Sequence, residues 1–149
     1  MFFVSSKEKA QIMKKAWLIG FIAAMFFSCS LDDGIDNEFT YEIVPTVTVD
    51  IPDTLYLHQN AEILVTYQRS STCQAFVGFD YNKDENNLYF AVINSRVIRD
   101  DCENIEEIKE ESFDFTPTRS DFYIFNFYTG TNENNENQYI TKQVPVMIE

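Results

Sequence analysis

Residues 122–128 read Phe122-Tyr123-Ile124-Phe125-Asn126-Phe127-Tyr128, and the period of their apolar positions decides the fold. Successive side chains of an extended chain point to opposite faces, so Tyr123, Phe125 and Phe127 share one face. A helix would scatter three large rings spaced by two around its circumference. These three are assigned to a packed core and not to a sugar-stacking platform, which leaves Phe122, Tyr128 and Tyr139 as the aromatic candidates for ligand contact.

The same period runs outward through the chain, in short runs separated by Asn, Asp, Ser and Thr clusters. Val47, Val49 and Ile51 alternate with Thr46, Thr48 and Asp50, then Pro52-Asp53 breaks the strand before Leu55 and Leu57 resume it. Ile63, Val65 and Tyr67 share the face of a second strand, and Phe76 to Tyr81 form a third. Leu88, Phe90 and Val92 begin a fourth after a turn-forming stretch, Asn82 to Asn87. Ile140, Lys142, Val144, Val146 and Ile148 alternate in the last, where Pro145 cannot donate a ladder hydrogen bond and requires an edge or a bulge. Only Asp100 to Glu111 has helical spacing, with Ile105 and Ile108 three apart, and one or two helical turns are expected there.

The reading is an all-β, two-sheet sandwich of about seven strands, a number that fits the immunoglobulin and fibronectin type III kind. Ser120 to Phe125 resembles the start of strand F in that fold, where a Tyr forms a corner two residues before a core cysteine. Phe125 stands in the place of that cysteine, so the inter-sheet disulfide of antibody domains is not expected, and Trp17, the only Trp, precedes the domain.

Composition bounds the partners. The chain has 149 residues, 45% hydrophobic and 15% aromatic, which suits one packed domain and excludes disorder. Its formal charge of −13 excludes nucleic acid and an anionic bilayer surface as electrostatic partners. At the N-terminus, Lys7, Lys9, Lys14 and Lys15 precede the 12-residue run Ala16 to Phe27, followed by Ser28-Cys29. That run is too short for a bilayer core, which needs about 20 residues, and has the form of a secretory signal. Met13 offers an alternative start to Met1 with a more compact charged region.

Phe26-Phe27-Ser28-Cys29 resembles the lipobox of bacterial lipoproteins, with bulkier residues than usual before Ser28. The resemblance implies cleavage before Cys29, acylation of its thiol and anchoring in the cell outer membrane, periplasmic or surface-exposed; ordinary signal peptidase cleavage is the alternative. Several acyl chains make such an anchor stable where one chain binds only marginally. Residues 1–28 are thus read as the signal peptide, 29–40 as an acidic tether carrying Asp32, Asp33, Asp36 and Glu38, and 41–149 as the sandwich domain. Asp32 and Asp33 also resemble the acidic patch of surface-exposed Bacteroidota lipoproteins. After cleavage, 7 Lys or Arg face 23 Asp or Glu, a formal −16.

Cysteine counting leaves Cys73 and Cys102 once Cys29 carries lipid, and in an oxidising envelope they are expected to form a disulfide, with two buried free thiols as the alternative. His58 is the only histidine, so neither a zinc site nor a Ser-His-Asp triad has enough parts beyond this one imidazole. Asp80-x-Asn82-x-Asp84 resembles the start of an EF-hand, but Glu85 stands where Gly is needed and Ala91 where the bidentate Glu is needed. An irregular calcium site on Asp80, Asn82 and Asp84, or in Asn132 to Asn137, competes with a solvated hairpin turn, which is preferred; no other cofactor is expected. Asp53-Thr54-Leu55 resembles the O-glycosylation acceptor of the Bacteroidota, with Thr54 as the modified residue.

The mature chain further resembles a group of small uncharacterised Bacteroidota lipoproteins, through Val65-Thr66-Tyr67 followed by Cys73, Phe79-Asp80-Tyr81, Cys102, Tyr123 to Phe127 with Gly130, and Val144-Pro145-Val146. That resemblance implies no activity. Two classes of function remain as expectations: a non-catalytic, lipid-anchored binding or structural module whose partner is an envelope protein or a glycan, and a small envelope enzyme or enzyme inhibitor using a carboxylate site.

Overall fold

The period-two segments all become strands. A computed structural model describes residues 38–148, which form one compact unit; Cys29 and its expected lipid lie outside the described residues. The strands are β1 (Phe39–Val44), β2 (Thr46–Asp50), β3 (Leu55–Tyr56), β4 (Ala61–Ser71), β5 (Gln74–Asp84), β6 (Asn87–Val97), β7 (Asn104–Phe115), β8 (Phe122–Thr131) and β9 (Asn137–Met147). Nine replace the expected seven or so, because Phe39–Val44, ahead of the first expected segment and separated from it by Pro45, forms β1 in the other sheet, and the stretch after Cys102 adds β7; the two-residue β3 pairs in parallel with β9.

Two sheets pack face to face as a sandwich. The smaller has the order β2-β4-β7. In the larger, β5 lies along one side of β6, and the other side of β6 is shared by two strands. Parallel β8 pairs with Asn87 to Phe90, and antiparallel β1 pairs with Val92 to Val97. β9 and β3 complete that sheet beyond β8.

Ile63, Val65 and Tyr67 of β4 are buried against Leu88, Phe90 and Val92 of β6 and Tyr123, Phe125 and Phe127 of β8, as the alternation requires. Phe113 and Phe115 of β7 carry the smaller sheet into this cluster. Phe113 stacks on Phe90 with centroids 4.8 Å apart, and Phe115 meets Phe125 edge-on at 5.1 Å. Each such pair is worth about 0.5–1.5 kcal/mol beyond the burial of its area. A bulge at Val77 lets Phe76 and Phe79, three apart, face the same core: Phe76 packs on Phe79 at 5.2 Å and Phe79 on Phe113 at 4.9 Å.

The tyrosine corner forms. Tyr123 is buried, and its hydroxyl accepts the Thr118 N–H at 3.0 Å, five residues upstream. Pro145 sits at the sparsely covered side of the larger sheet, where β9 has only β3 beyond it, so its missing N–H breaks no central ladder. Cys73 and Cys102 are joined in a disulfide with Cα atoms 5.5 Å apart.

Four local expectations are corrected. Asp100 to Glu111 forms no helix: from Asn104 it is β7, antiparallel to β4, with Ile105 half-buried and Ile108 turned out and 58% exposed. Pairing of ten residues of β4, with Phe113 and Phe115 anchored in the core, outweighs a two-residue helical coincidence. Val47 is 45% exposed, and Thr46 is buried instead, because a bulge between Thr46 and Thr48 shifts which residues face inward. The turn is shorter than Asn82 to Asn87, since β5 runs on to Asp84 and only Glu85 and Asn86 connect it to β6, with Glu85 at φ 53°. Ile148 falls beyond the end of β9 and is exposed.

Asp121 ties the entry of β8 to its neighbours. Arg119 grips its carboxylate through two N–H groups at 2.6 and 3.0 Å, and Asn86 of the β5–β6 hairpin donates to it at 3.0 Å. The Arg119 hydrogen bond above all, helped by Asn86 and the Phe122 N–H, holds this carboxyl down at about 2. A carboxylate with a depressed folded value stabilises the fold above its ordinary value of 3.8 and loses that contribution as pH falls towards about 2. The urea midpoint of the wild type should therefore exceed that of Asp121→Asn above about pH 4. The two should converge on acidification, and a constant gap would contradict the assignment. Reduction of Cys73–Cys102, or Cys73→Ser with Cys102→Ser, should lower stability by about 3–4 kcal/mol, the chain-entropy value for a loop of this length, read from denaturant melts with and without reductant.

Candidate functional site

Where one strand replaces another along β6, the outer face of the larger sheet opens. The β6–β8 ladder ends at Phe90 and the β6–β1 ladder begins at Val92. Ala91 lies between them, paired only with Asp80 on its β5 side. Ala91 points outward, as Tyr89 does, and its single methyl leaves space that a longer side chain would fill. A cleft of about 390 Å³ lies over this point.

Each wall of the cleft has a local cause. Asp80 and Asn82 stand two apart on β5 and so share its outer face, opposite Ala91 and Tyr89. Tyr128 and Tyr139 are a cross-strand pair of β8 and β9, just before a bulge at Thr129–Gly130 where Gly130 takes φ 124°, a conformation that favours glycine. The Tyr139 ring is edge-on to Tyr89, with centroids 5.6 Å apart, and to Tyr128 at 6.3 Å. Asn137 donates to the Tyr139 hydroxyl at 3.3 Å, which steers the phenol. Tyr139 is 37% exposed, so part of its ring is open to solvent.

Beneath the rings, Asn126 is buried and fully engaged. Its Nδ2 donates to the Leu88 and Ile124 carbonyls, each at 3.3 Å, and its Oδ1 accepts the Thr141 hydroxyl at 2.8 Å. This ties together β6, β8 and β9, the strands that carry the three tyrosines, at the level of the cleft floor.

Of the residues singled out from sequence, Tyr128, Tyr139, Asp80 and Asn82 are brought together here, although they come from three strands and two separate arguments. Phe122 is half-buried at the far end of β8, opposite Pro145, and is not part of the cleft. Asp84 continues the β5 row, roughly 13 Å from Asp80 along an extended strand, so the three calcium candidates form a line and not the converging loop of an EF-hand. In Asn132 to Asn137, the Asn132 Oδ1 already accepts the N–H groups of Asn134 and Glu136, at 2.9 and 3.0 Å. Among the described residues, the one cluster of three potential metal-binding His, Cys, Asp or Glu side chains is Cys73, Asp101 and Cys102, whose sulfurs form the disulfide. Thr54 is half-buried in the bend before β3, beside exposed Asp53, whose carboxylate pairs with Lys142 at 3.1 Å.

Sequence reasoning missed Tyr89, and named Asn137 only as the end of the Asn132 to Asn137 loop. Tyr89 alternates with buried Leu88 and Phe90, which marks it as outward-facing, but nothing local says which strand lies beside it. A second cleft, of about 350 Å³ beside β1, has much of its polar lining already paired internally: Gln74 donates to Glu42 and accepts the N–H groups of Ser70 and Ser71.

Compared with protein families, with curated proteins and with solved structures, the chain matches none.

The division between support and surface is measurable. Asn126→Ala should cost about 1 kcal/mol, the net worth of the side-chain hydrogen bonds by which it joins the Leu88 carbonyl and the Thr141 hydroxyl. Asp80→Ala and Asn82→Ala, exposed and on an edge strand, should stay within about 0.5 kcal/mol of the wild type in the same denaturant melts.

Proposed function

We propose that this chain is a lipid-anchored lipoprotein of the bacterial cell outer membrane, akin to the small Bacteroidota lipoproteins it resembles, and that its sandwich is a non-catalytic binding module. The observation that carries the binding reading is the cleft over Ala91, an open surface with aromatic walls facing the exposed polar side chains of Asp80 and Asn82. Its lining contains a single carboxylate, Asp80, whereas hydrolysis of the glycosidase type uses two carboxyl groups flanking the scissile bond. The anchor rests on Lys14-Lys15, the run Ala16 to Phe27 and the Ser28-Cys29 junction.

An acidic tether of about ten residues between Cys29 and β1 lets the domain stand off the bilayer, and the mature charge of −16 opposes collapse onto anionic headgroups. A module so placed meets envelope components by diffusion within the plane of the membrane.

Metabolic labelling with a fatty-acid analogue should tag the wild type and leave Cys29→Ser unlabelled. The described residues 38–148 close their own core, so the mature chain carrying Cys29→Ser serves for binding in solution. It should be retained on isolated cell-envelope particles, and Tyr139→Ala with Asp80→Ala should abolish retention. Retention unaffected by the double variant would refute the cleft as the binding surface.

A further inference from the structure

We infer that the cleft over Ala91 takes a neutral, hydroxyl-rich oligosaccharide, an inference that rests on the cleft being the binding surface. The argument is one of chemical elimination on the lining groups. Asp80 is a permanent acceptor, and the carboxamides of Asn82 and Asn137 both donate and accept. An apolar ligand would strip water from all three and give nothing back, which is unfavourable for a carboxamide and more so for a carboxylate. An anionic ligand, such as a uronate or a phosphate, would meet Asp80 with no Lys or Arg in the lining to offset it, on a mature chain carrying −16. A cationic ligand would satisfy Asp80, the tyrosine faces and the carboxamide oxygens, but it brings no acceptor for the carboxamide N–H groups, which sugar hydroxyls supply as well.

A neutral pyranose satisfies every group at once. Its C–H face is apolar and carries partial positive charge, which suits the face of an aromatic ring. Its vicinal hydroxyls match a carboxylate or a carboxamide as paired donors and acceptors, and hydrogen bonds to the ionised Asp80 are the stronger kind. The ring arrangement fits this division. Tyr139 stands edge-on to both Tyr89 and Tyr128, so the three rings form walls at steep angles and not a flat patch. The polar groups of β5 face them across Ala91. One face of a sugar would lie on tyrosine while its rim reaches Asp80 and Asn82. The volume, about 390 Å³, suits a short segment of a chain that continues out of the open cleft. Glycan specificity then depends on a small floor, and Ala91 is the residue that keeps it clear.

The test uses the mature chain with Cys29→Ser in calorimetric titrations against maltohexaose, cellohexaose, xylohexaose, mannohexaose and laminarihexaose, with trigalacturonate and pentalysine as charged probes. At least one neutral oligosaccharide should bind. Tyr139→Ala and Asp80→Ala should each weaken it about tenfold, and Ala91→Leu should abolish it by filling the floor. Because the mature chain has no Trp, stacking should also appear as a change in tyrosine absorbance on titration, absent in Tyr139→Ala. Circular dichroism melts matching the wild type confirm that each variant is folded. Ala91→Leu is outward-facing, and if it fails to fold the Tyr139 and Asp80 variants decide the matter. Binding of trigalacturonate or pentalysine in place of every neutral sugar overturns the inference, as does no neutral binding at millimolar concentration, or binding insensitive to Tyr139 and Asp80. If all sugars fail while Tyr139→Ala with Asp80→Ala still abolishes envelope retention, the glycan assignment falls and the cleft remains a binding surface. If retention too is insensitive, both fall.

Discussion

The contact between Phe113 and Phe115 on one sheet and Phe90, Phe125 and Tyr123 on the other is the interaction on which the domain depends. β7 pairs only with β4, is held at its entry by the Cys73–Cys102 disulfide, and carries four glutamates between Glu106 and Glu111 that repel one another along it. Lys109 and Arg69 offset part of that charge at Glu107, at 2.8 and 3.4 Å, and the Lys109 hydrogen bond keeps the Glu107 carboxyl below its ordinary range. The ion pairs are exposed and contribute little to stability, whereas the two phenylalanines remove large apolar surfaces from water. Beyond the β4 ladder and the disulfide at its entry, the inward docking of the acidic edge strand rests on Phe113 and Phe115 near its end.

The acidic edge has a second consequence. β7 ends the smaller sheet, and its unpaired backbone would be a template for another strand. A row of glutamates on that edge makes such pairing with a second copy of so acidic a chain unfavourable. Charge that adds nothing to the core therefore disfavours edge-to-edge association of the fold.

The meeting of tyrosine rings and carboxamides at the cleft over Ala91 follows from topology. A strand with two different partners along one side must have a point where neither pairs with it, and on β6 that point is Ala91. Parallel β8 leaves there toward its bulge at Gly130, and antiparallel β1 arrives from the tether. The open surface lies on strands that Asn126 ties together, and Tyr128 and Tyr139 are set by their cross-strand pairing without a loop having to order.

The amino-acid sequence by itself determined the class of fold, the inward faces of β4, β6 and β8, the corner at Tyr123 and the pairing of Cys73 with Cys102. Each is written in local period or in a count: alternate residues of an extended chain must face opposite ways, and two cysteines left in one domain have only each other. Tertiary structure decided what local period does not encode. Bulges at Val47 and Val77 reset which residues face inward, a shift visible only against the partner strand. The acidic segment after Cys102 became β7 because Phe113 and Phe115, beyond its helical coincidence, belong to a core assembled from distant strands. The cleft was legible only as parts, with Tyr128 and Tyr139 singled out for exposure and Asp80 and Asn82 for their oxygens. Bringing them together with Tyr89 required the change of partner along β6, and strand order is a property of long-range packing that no window of sequence contains.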